Sequence, residues 1–317
     1  MTYGQGMPLK TDDLRHVLTP GPHARESLFY SLLLPDEQLM VFTYTWVGHD
    51  NRAGHLFGVA GESNERHAIS AVDGVDVGER DFDDWAVGGV QVRHVDLLRR
   101  AELAVELEGV SFHASYEGVH ETFSYLDNQD GCPSFVADDR FEQSCRVRGT
   151  LTLAGREIAF DTTGHRDHSW GTRDWDTFQD WKWISAQAGP DLGLNLLLMH
   201  ARGETTTHGY VFRDGLLAPV VSARAGAGFD ERFWQTGGEA EIVDDRGRET
   251  AVHIERFALF SFEAGERTVL NEAGCTGTID GAPALVHFEC GWDRTYAALQ
   301  ASRAAGTSAS ASAILSS

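Results

Sequence analysis

The feature that most constrains this chain is a two-residue period in side-chain character, carried in short runs between Gly, Asp and Asn. Successive side chains of an extended strand point to opposite faces, so this period marks sheet rather than helix. In Gln38–Gly48, Met40, Phe42, Tyr44 and Trp46 alternate with Leu39, Val41, Thr43 and Thr45. One face is aromatic and the other smaller, aliphatic or β-branched, so a strand here is covered on both sides. The same reading predicts strands over Glu26–Leu34, His55–Ala60, Ala101–Glu108, Val110–Tyr116, Ser144–Ala154, Arg156–Thr162 and Trp181–Ala188. It continues over Leu192–Ala201, His208–Arg213, Leu217–Ser222, Glu239–Val243, Thr250–Phe262 and Ala284–Cys290. So many strands with so little helix predict an all-β chain of closed or sandwiched antiparallel sheets. Helix is confined to a turn or two at Thr11–Leu14 and to Trp292–Ala305, Asp127–Asp139 reads as a loop, and Ala301–Ser317 reads as a disordered tail with little to bury.

Charge narrows the partners. With 48 acidic and 26 basic residues in 317, the net charge is −22. The only basic cluster is the pair Arg99–Arg100, so no nucleic-acid partner is expected. No apolar run reaches the roughly 18 residues of a membrane span, so no membrane insertion is expected either. Met1–Lys10 lacks a basic stretch followed by an apolar one, which points to a cytoplasmic protein. Cys132, Cys145, Cys275 and Cys290 show no C-x-x-C spacing and read as reduced, mostly buried thiols.

The common hydrolase, nucleotide and zinc-protease signatures are missing, and His120-Glu121 lacks a second His. What stands out is Gly164–Trp175, where two Arg, two Asp, two His and two Trp crowd together: His165, Arg166, Asp167, His168, Trp170, Arg173, Asp174 and Trp175. If the strand from Arg156 continues without a bulge at Gly164, then Arg166, His168 and Trp170 share one face while His165 and Asp167 share the other. The two His then point apart, and no metal is expected. A purely structural reading has Arg166, Asp167, Arg173 and Asp174 neutralising one another around a tight turn at Gly171.

Gly-His-Arg-Asp-His-Ser-Trp-Gly resembles the D-H-x-W-G signature of the lipocalin-like family that contains the carotenoid 1,2-hydratases (hydroxyneurosporene synthases). Glu26-Ser27-Leu28-Phe29-Tyr30 resembles that family's N-terminal E-W-W-Y-F segment, and Arg140–Trp175 looks closer still to its bacterial relatives. The resemblance implies two lipocalin-like β-domains, here 1–155 and 156–300, followed by the tail 301–317. It also implies an apolar cavity for an isoprenoid- or polyketide-like substrate, and chemistry that protonates an alkene before water or an internal group traps the cation. Among its implied active-site groups, His168 and Trp170 match directly. A downstream Tyr-Asp pair is replaced near Met199-His200, so the acid is either His200 or supplied from elsewhere.

Protonating an alkene needs an acid held protonated in a dry pocket, with aromatic faces to stabilise the cation. Asp167 and Asp174 are the local carboxyl candidates, with His168 to position either one and Trp170 beside them. Glu26, Tyr30, Arg166, Trp175, Trp183, Asn195 and His200 are the expected substrate-binding groups, and no cofactor is expected. The leading expectation is therefore a terpenoid-type cyclase or hydratase acting on an apolar small molecule. A non-catalytic carrier of such a molecule is the alternative, and an acidic β-sandwich interaction module is a third.

Overall fold

The structure, a computed structural model, describes residues 8–303. Its first sheet is built from β1 (Ala24–Leu34), β2 (Leu39–Gly48), β3 (Arg52–Ala60), β4 (Arg66–Asp76), β5 (Trp85–Val87), β6 (Val90–Asp96), β7 (Arg100–Leu107), β8 (Val110–Gly118), β9 (Phe123–Ser124), β10 (Asp139–Leu153) and β11 (Arg156–Thr172). The order is β4-β3-β2-β1-β11-β10-β8-β7-β6-β5, with β9 on β10, a nearly closed barrel. The second sheet is β12 (Phe178–Gln187), β13 (Leu192–Ala201), β14 (Glu204–Arg213), β15 (Leu216–Phe229), β16 (Gln235–Asp244), β17 (Glu249–Ala264), β18 (Thr268–Ile279) and β19 (Ala282–Asp293), closed on itself. The all-β architecture of closed antiparallel sheets is what the alternation predicts, and its arrangement as two barrel-like sheets is what the resemblance implies. No helix among the described residues is long and apolar enough to cross a membrane.

Sheet membership changes at 172–178, whereas the sequence suggests a division at 155/156. β10 and β11 form one long hairpin, paired from Leu153–Arg156 to Asp139–Trp170, and β11 also pairs with β1 on its other edge. A strand held on both edges stays with its sheet until pairing ends. Gly171 accordingly lies within β11 and not in a tight turn; its φ of +114° and the approach of Asp138, 2.4 Å from where a Cβ would stand, admit only glycine. Trp292 and Asp293 end β19, so the C-terminal helix begins later than expected and covers 294–303. Of the expected tail 301–317, residues 301–303 continue this helix and 304–317 lie outside the described residues.

Three apolar layers follow from strand parity. Leu28, Tyr30, Leu32 and Val41 fill the interior of the first sheet, and Ile184, Ala186, Leu194 and Leu196 that of the second. The opposite faces of the same strands, Phe29, Leu33, Met40 and Phe42 with Trp181, Trp183, Leu197 and Phe260, meet between the two sheets. Phe42 packs edge-on to Phe260 at 4.9 Å, and Phe29 to Trp183 at 6.0 Å. The aromatic face read in Gln38–Gly48 is this intersheet face.

Candidate active site

The intersheet layer is not fully packed: it encloses a cavity of about 510 Å³, within the range of small-molecule sites. Its walls are mainly aromatic, with Phe29, Phe42, Tyr44, Trp175, Trp181 and Trp183 prominent. Charged or ionisable groups interrupt them on two sides, among them Arg140 and Asp167 from the first sheet and Glu272 and Glu289 from the second.

Glu272 on β18 and Glu289 on β19 are direct cross-strand partners, which places their carboxyl groups side by side on one face. The two carboxyls hydrogen-bond one another. Trp181 Nε1 donates to Glu289, and His287 Nε2 lies 2.7 Å from Glu272. Ser31 Oγ lies 3.0 Å from His287 Nδ1, so the neutral imidazole that donates to Glu272 accepts from Ser31. Burial, reinforced at Glu289 by its neighbour's charge, pushes Glu272 up to about 7 and Glu289 up to about 8, while burial pulls His287 down to about 4. Two buried carboxyls without a cation cannot both ionise, so the pair carries a proton at neutral pH.

Behind the opposite wall, Arg140 bonds Glu142 at 2.7 Å and Asp167 at 2.8 Å. Glu142 also accepts from Tyr125 (2.9 Å) and Trp183 (3.1 Å) and meets His165 Nε2 at 2.6 Å, whose Nδ1 meets Ser185 at 2.7 Å. Burial opposes ionisation of Glu142, but Arg140 and His165 outweigh it and hold its carboxyl low; burial wins at Asp167, whose carboxyl is pushed up.

β11 runs through the motif without a register shift, so the expected alternation holds. Its consequence divides the predicted site. Asp167, Trp175 and Trp183 line the cavity, whereas His168, Trp170 and Arg166 point into the first sheet. There His168 bonds Glu26 at 2.8 Å, Trp170 stacks on His16 at 4.0 Å, Arg166 bonds Asp13 at 3.1 Å and Gln143 at 2.7 Å, and Tyr30 bonds His94 at 2.6 Å. These residues fasten the N-terminal segment across the barrel. Asn195 is buried behind the cavity as acceptor to Tyr125 at 3.0 Å, His200 pairs at the surface with Asp180 at 2.8 Å, and Asp174 accepts from Thr177 at 2.9 Å in the intersheet connection. The sequence reading missed Glu272, His287 and Glu289. β18 was unassigned because its Asn, Glu and Gly obscure the alternation, although Glu289 within Ala284–Cys290, an acid inside an apolar run, was a usable signal.

Metal-ligating side chains also gather at His16, Glu26 and His168, whose ligand atoms lie within 4.8 Å of one another. The expectation of no metal rested on His165 and His168 pointing apart; the partner of His168 is instead His16, contributed by the N-terminal segment. Both imidazoles are engaged by the same Glu26 oxygen, at 2.7 and 2.8 Å, and those bonds, against the cost of burial, hold Glu26 ionised. A second concavity, beside Arg93, Glu102, His113 and Arg148, lies among exposed charged side chains and lacks a buried titratable cluster.

The whole two-sheet arrangement recurs in solved structures. An AttH-like protein (NE1406) of Nitrosomonas europaea superposes with a TM-score of 0.67 at 14% identity, over 93% of this chain and 99% of that one. Kievitone hydratase of Nectria haematococca gives 0.60 at 10% identity, and CghA, solved with Sch210972, gives 0.57 at 14%; each comparison covers 86% of this chain and 89% of the other. At these identities the likeness is one of fold. No curated protein matches the sequence. Residues 10–294 match the family described as a domain of unknown function, DUF7064, and the chain belongs to that family.

Proposed function

We propose that this protein is a lipocalin-like enzyme that takes an apolar, isoprenoid-type small molecule into the intersheet cavity and hydrates or cyclises it by protonating an alkene. The observation that carries the reading is the protonated Glu272–Glu289 pair facing an aromatic cavity. A carboxyl group with a pKa raised close to neutrality is suited to general-acid work, and the rings of Trp175, Trp181 and Trp183 face the carbon that becomes cationic. In the reaction the pair gives its proton to one alkene carbon. Water, or a nucleophile within the substrate, bonds to the other carbon, and the proton that this nucleophile releases restores the pair. The supply of acid thus comes from β18 and β19, with Asp167 and Arg140 on the facing wall, and neither His168 nor Asp174 needs to reach the substrate. That one fold neighbour is named a hydratase agrees with this reading.

Mass-spectrometric screening of trisubstituted alkenes, with farnesol and farnesoic acid among them, tests it. Glu272→Gln and Glu289→Gln are expected to lower turnover by about 10²–10⁴-fold while ligand quenching of the cavity tryptophans persists. Binding by the wild type with no conversion of any alkene would support the carrier alternative.

A further inference from the structure

One end of the cavity carries two arginines that form no ion pair among the described residues. Arg25, at the start of β1, and Arg173, just after β11, both line it. Their backbones are neighbours: Arg25 pairs with Gly171, and Arg173 N donates to His23 O at 2.9 Å. Each guanidinium lies over a cavity aromatic, Arg25 at 5.0 Å from the Trp46 ring and Arg173 at 5.2 Å from that of Trp175. Neither forms an ion pair among the described residues. Arg173 spends Nε on Val136 O (2.8 Å) and Nη2 on Ser169 Oγ (2.6 Å), which fixes its plane and leaves Nη1 without a hydrogen bond among the described residues.

The nearby acids are otherwise engaged. Asp167 and Glu142 are bonded to Arg140, and Glu263, at the rim, pairs with Arg294 at 3.0 Å. In a chain of net charge −22, two half-buried arginines without a carboxylate partner among the described residues leave a positive patch on the cavity wall that an anionic group of a ligand would complement. Arginine held by stacking, with its fork open, suits a planar oxyanion.

We infer that the substrate is an amphiphilic organic acid, an apolar alkenyl skeleton whose carboxylate or enolate head is held between Arg25 and Arg173. This rests on the proposed function and adds the polarity of the ligand and its direction in the cavity. Along β1, Arg25 marks the head and Phe29, whose ring lies 5.7 Å from that of His287, the partner of Glu272, marks the reacting end. Four residues of strand separate them by about 13 Å, so the alkene that is protonated stands roughly that far from the anion.

The test compares cis-parinaric acid with the alcohol of the same chain, by probe fluorescence at pH 8, in wild type, Arg25→Gln, Arg173→Gln, Arg25→Gln/Arg173→Gln and Arg173→Lys. The wild type is expected to bind the acid at least tenfold more tightly than the alcohol, with a preference that weakens as salt rises. Each glutamine variant loses most of that preference but keeps its affinity for the alcohol, and the lysine variant keeps part of it. Equal binding of acid and alcohol by the wild type, or a preference that survives in the double variant, overturns the inference and leaves the cavity reading intact. Failure of both probes to bind the wild type overturns the cavity reading and this inference with it. The Arg25 side chain makes no hydrogen bond among the described residues, so Arg25→Gln remains informative should Arg173→Gln misfold.

Discussion

Glu289 and Glu272 pose the sharpest residue-level question, because burial resists the ionisation of both, reinforced at Glu289 by the charge of Glu272 and at Glu272 by that of Asp167. Their protonated form is the active one in the proposed reaction, so kcat/KM is expected to fall as pH rises through about 7 to 8. Linkage fixes the sign of the stability effect. A carboxyl whose folded pKa lies above its unfolded value favours the folded state fully below that unfolded value, and the advantage is lost as pH rises through the folded pKa. Between the ordinary glutamate value of 4.5 and about 8 this pair therefore makes the wild type progressively less stable. Glu289→Gln, which cannot ionise, should show a smaller loss over that range and a higher Tm than wild type at pH 9, though it is the less active protein. Thermal melts of the two proteins from pH 5 to 9 check this. A Glu289→Gln variant that loses stability with pH as steeply as wild type would contradict the placement of the ionising pair.

At the scale of elements, β11 explains why part of the site was legible and part was not. Its alternation could be read from Arg156 onward, and it separated His165 and Asp167 from Arg166, His168 and Trp170 as the structure does. Which face meets the cavity could not be read, because both faces are buried and the sequence of one strand does not say what covers either side. The charge-dense motif drew attention to His168, yet His168 lies among Phe82, Phe141, Trp170 and His16 inside the first sheet. Asp13 and His16 come from the segment before β1, more than a hundred residues away in sequence, so those partnerships had no local signal. The motif's even-numbered residues thus hold the N-terminal segment, and this has a measurable cost. Arg166 is 2% exposed and Asp13 is its one carboxylate partner among the described residues. Asp13→Ala leaves that guanidinium buried and uncompensated, and urea denaturation is expected to show a loss of about 3–5 kcal/mol. A loss below about 1 kcal/mol, the scale of an exposed ion pair, would show that the segment is not fastened there.

For the whole molecule, the alternation established sheet after sheet, but the catalytic proposal depends on how the two sheets stack. Each barrel interior is filled by its own core, and the aromatic cavity arises where the outer face of β1 and β2 meets the outer face of β12, β18 and β19. The acid pair belongs to the second sheet and the arginines to the first strand and the connection, so neither sheet alone makes the site. No local pattern could disclose that, since stacking is set by complementarity between surfaces far apart in sequence. The proposed reaction turns on one proton passing from the Glu272–Glu289 pair to substrate carbon. Its most direct test is mass spectrometry of the product formed in deuterated water from an alkene that the wild type converts, run alongside Glu289→Gln. The expected product carries one non-exchangeable deuterium on carbon, and its formation drops by about 10²–10⁴-fold in the variant. A product free of solvent deuterium, or one formed at the wild-type rate by Glu289→Gln, would contradict it.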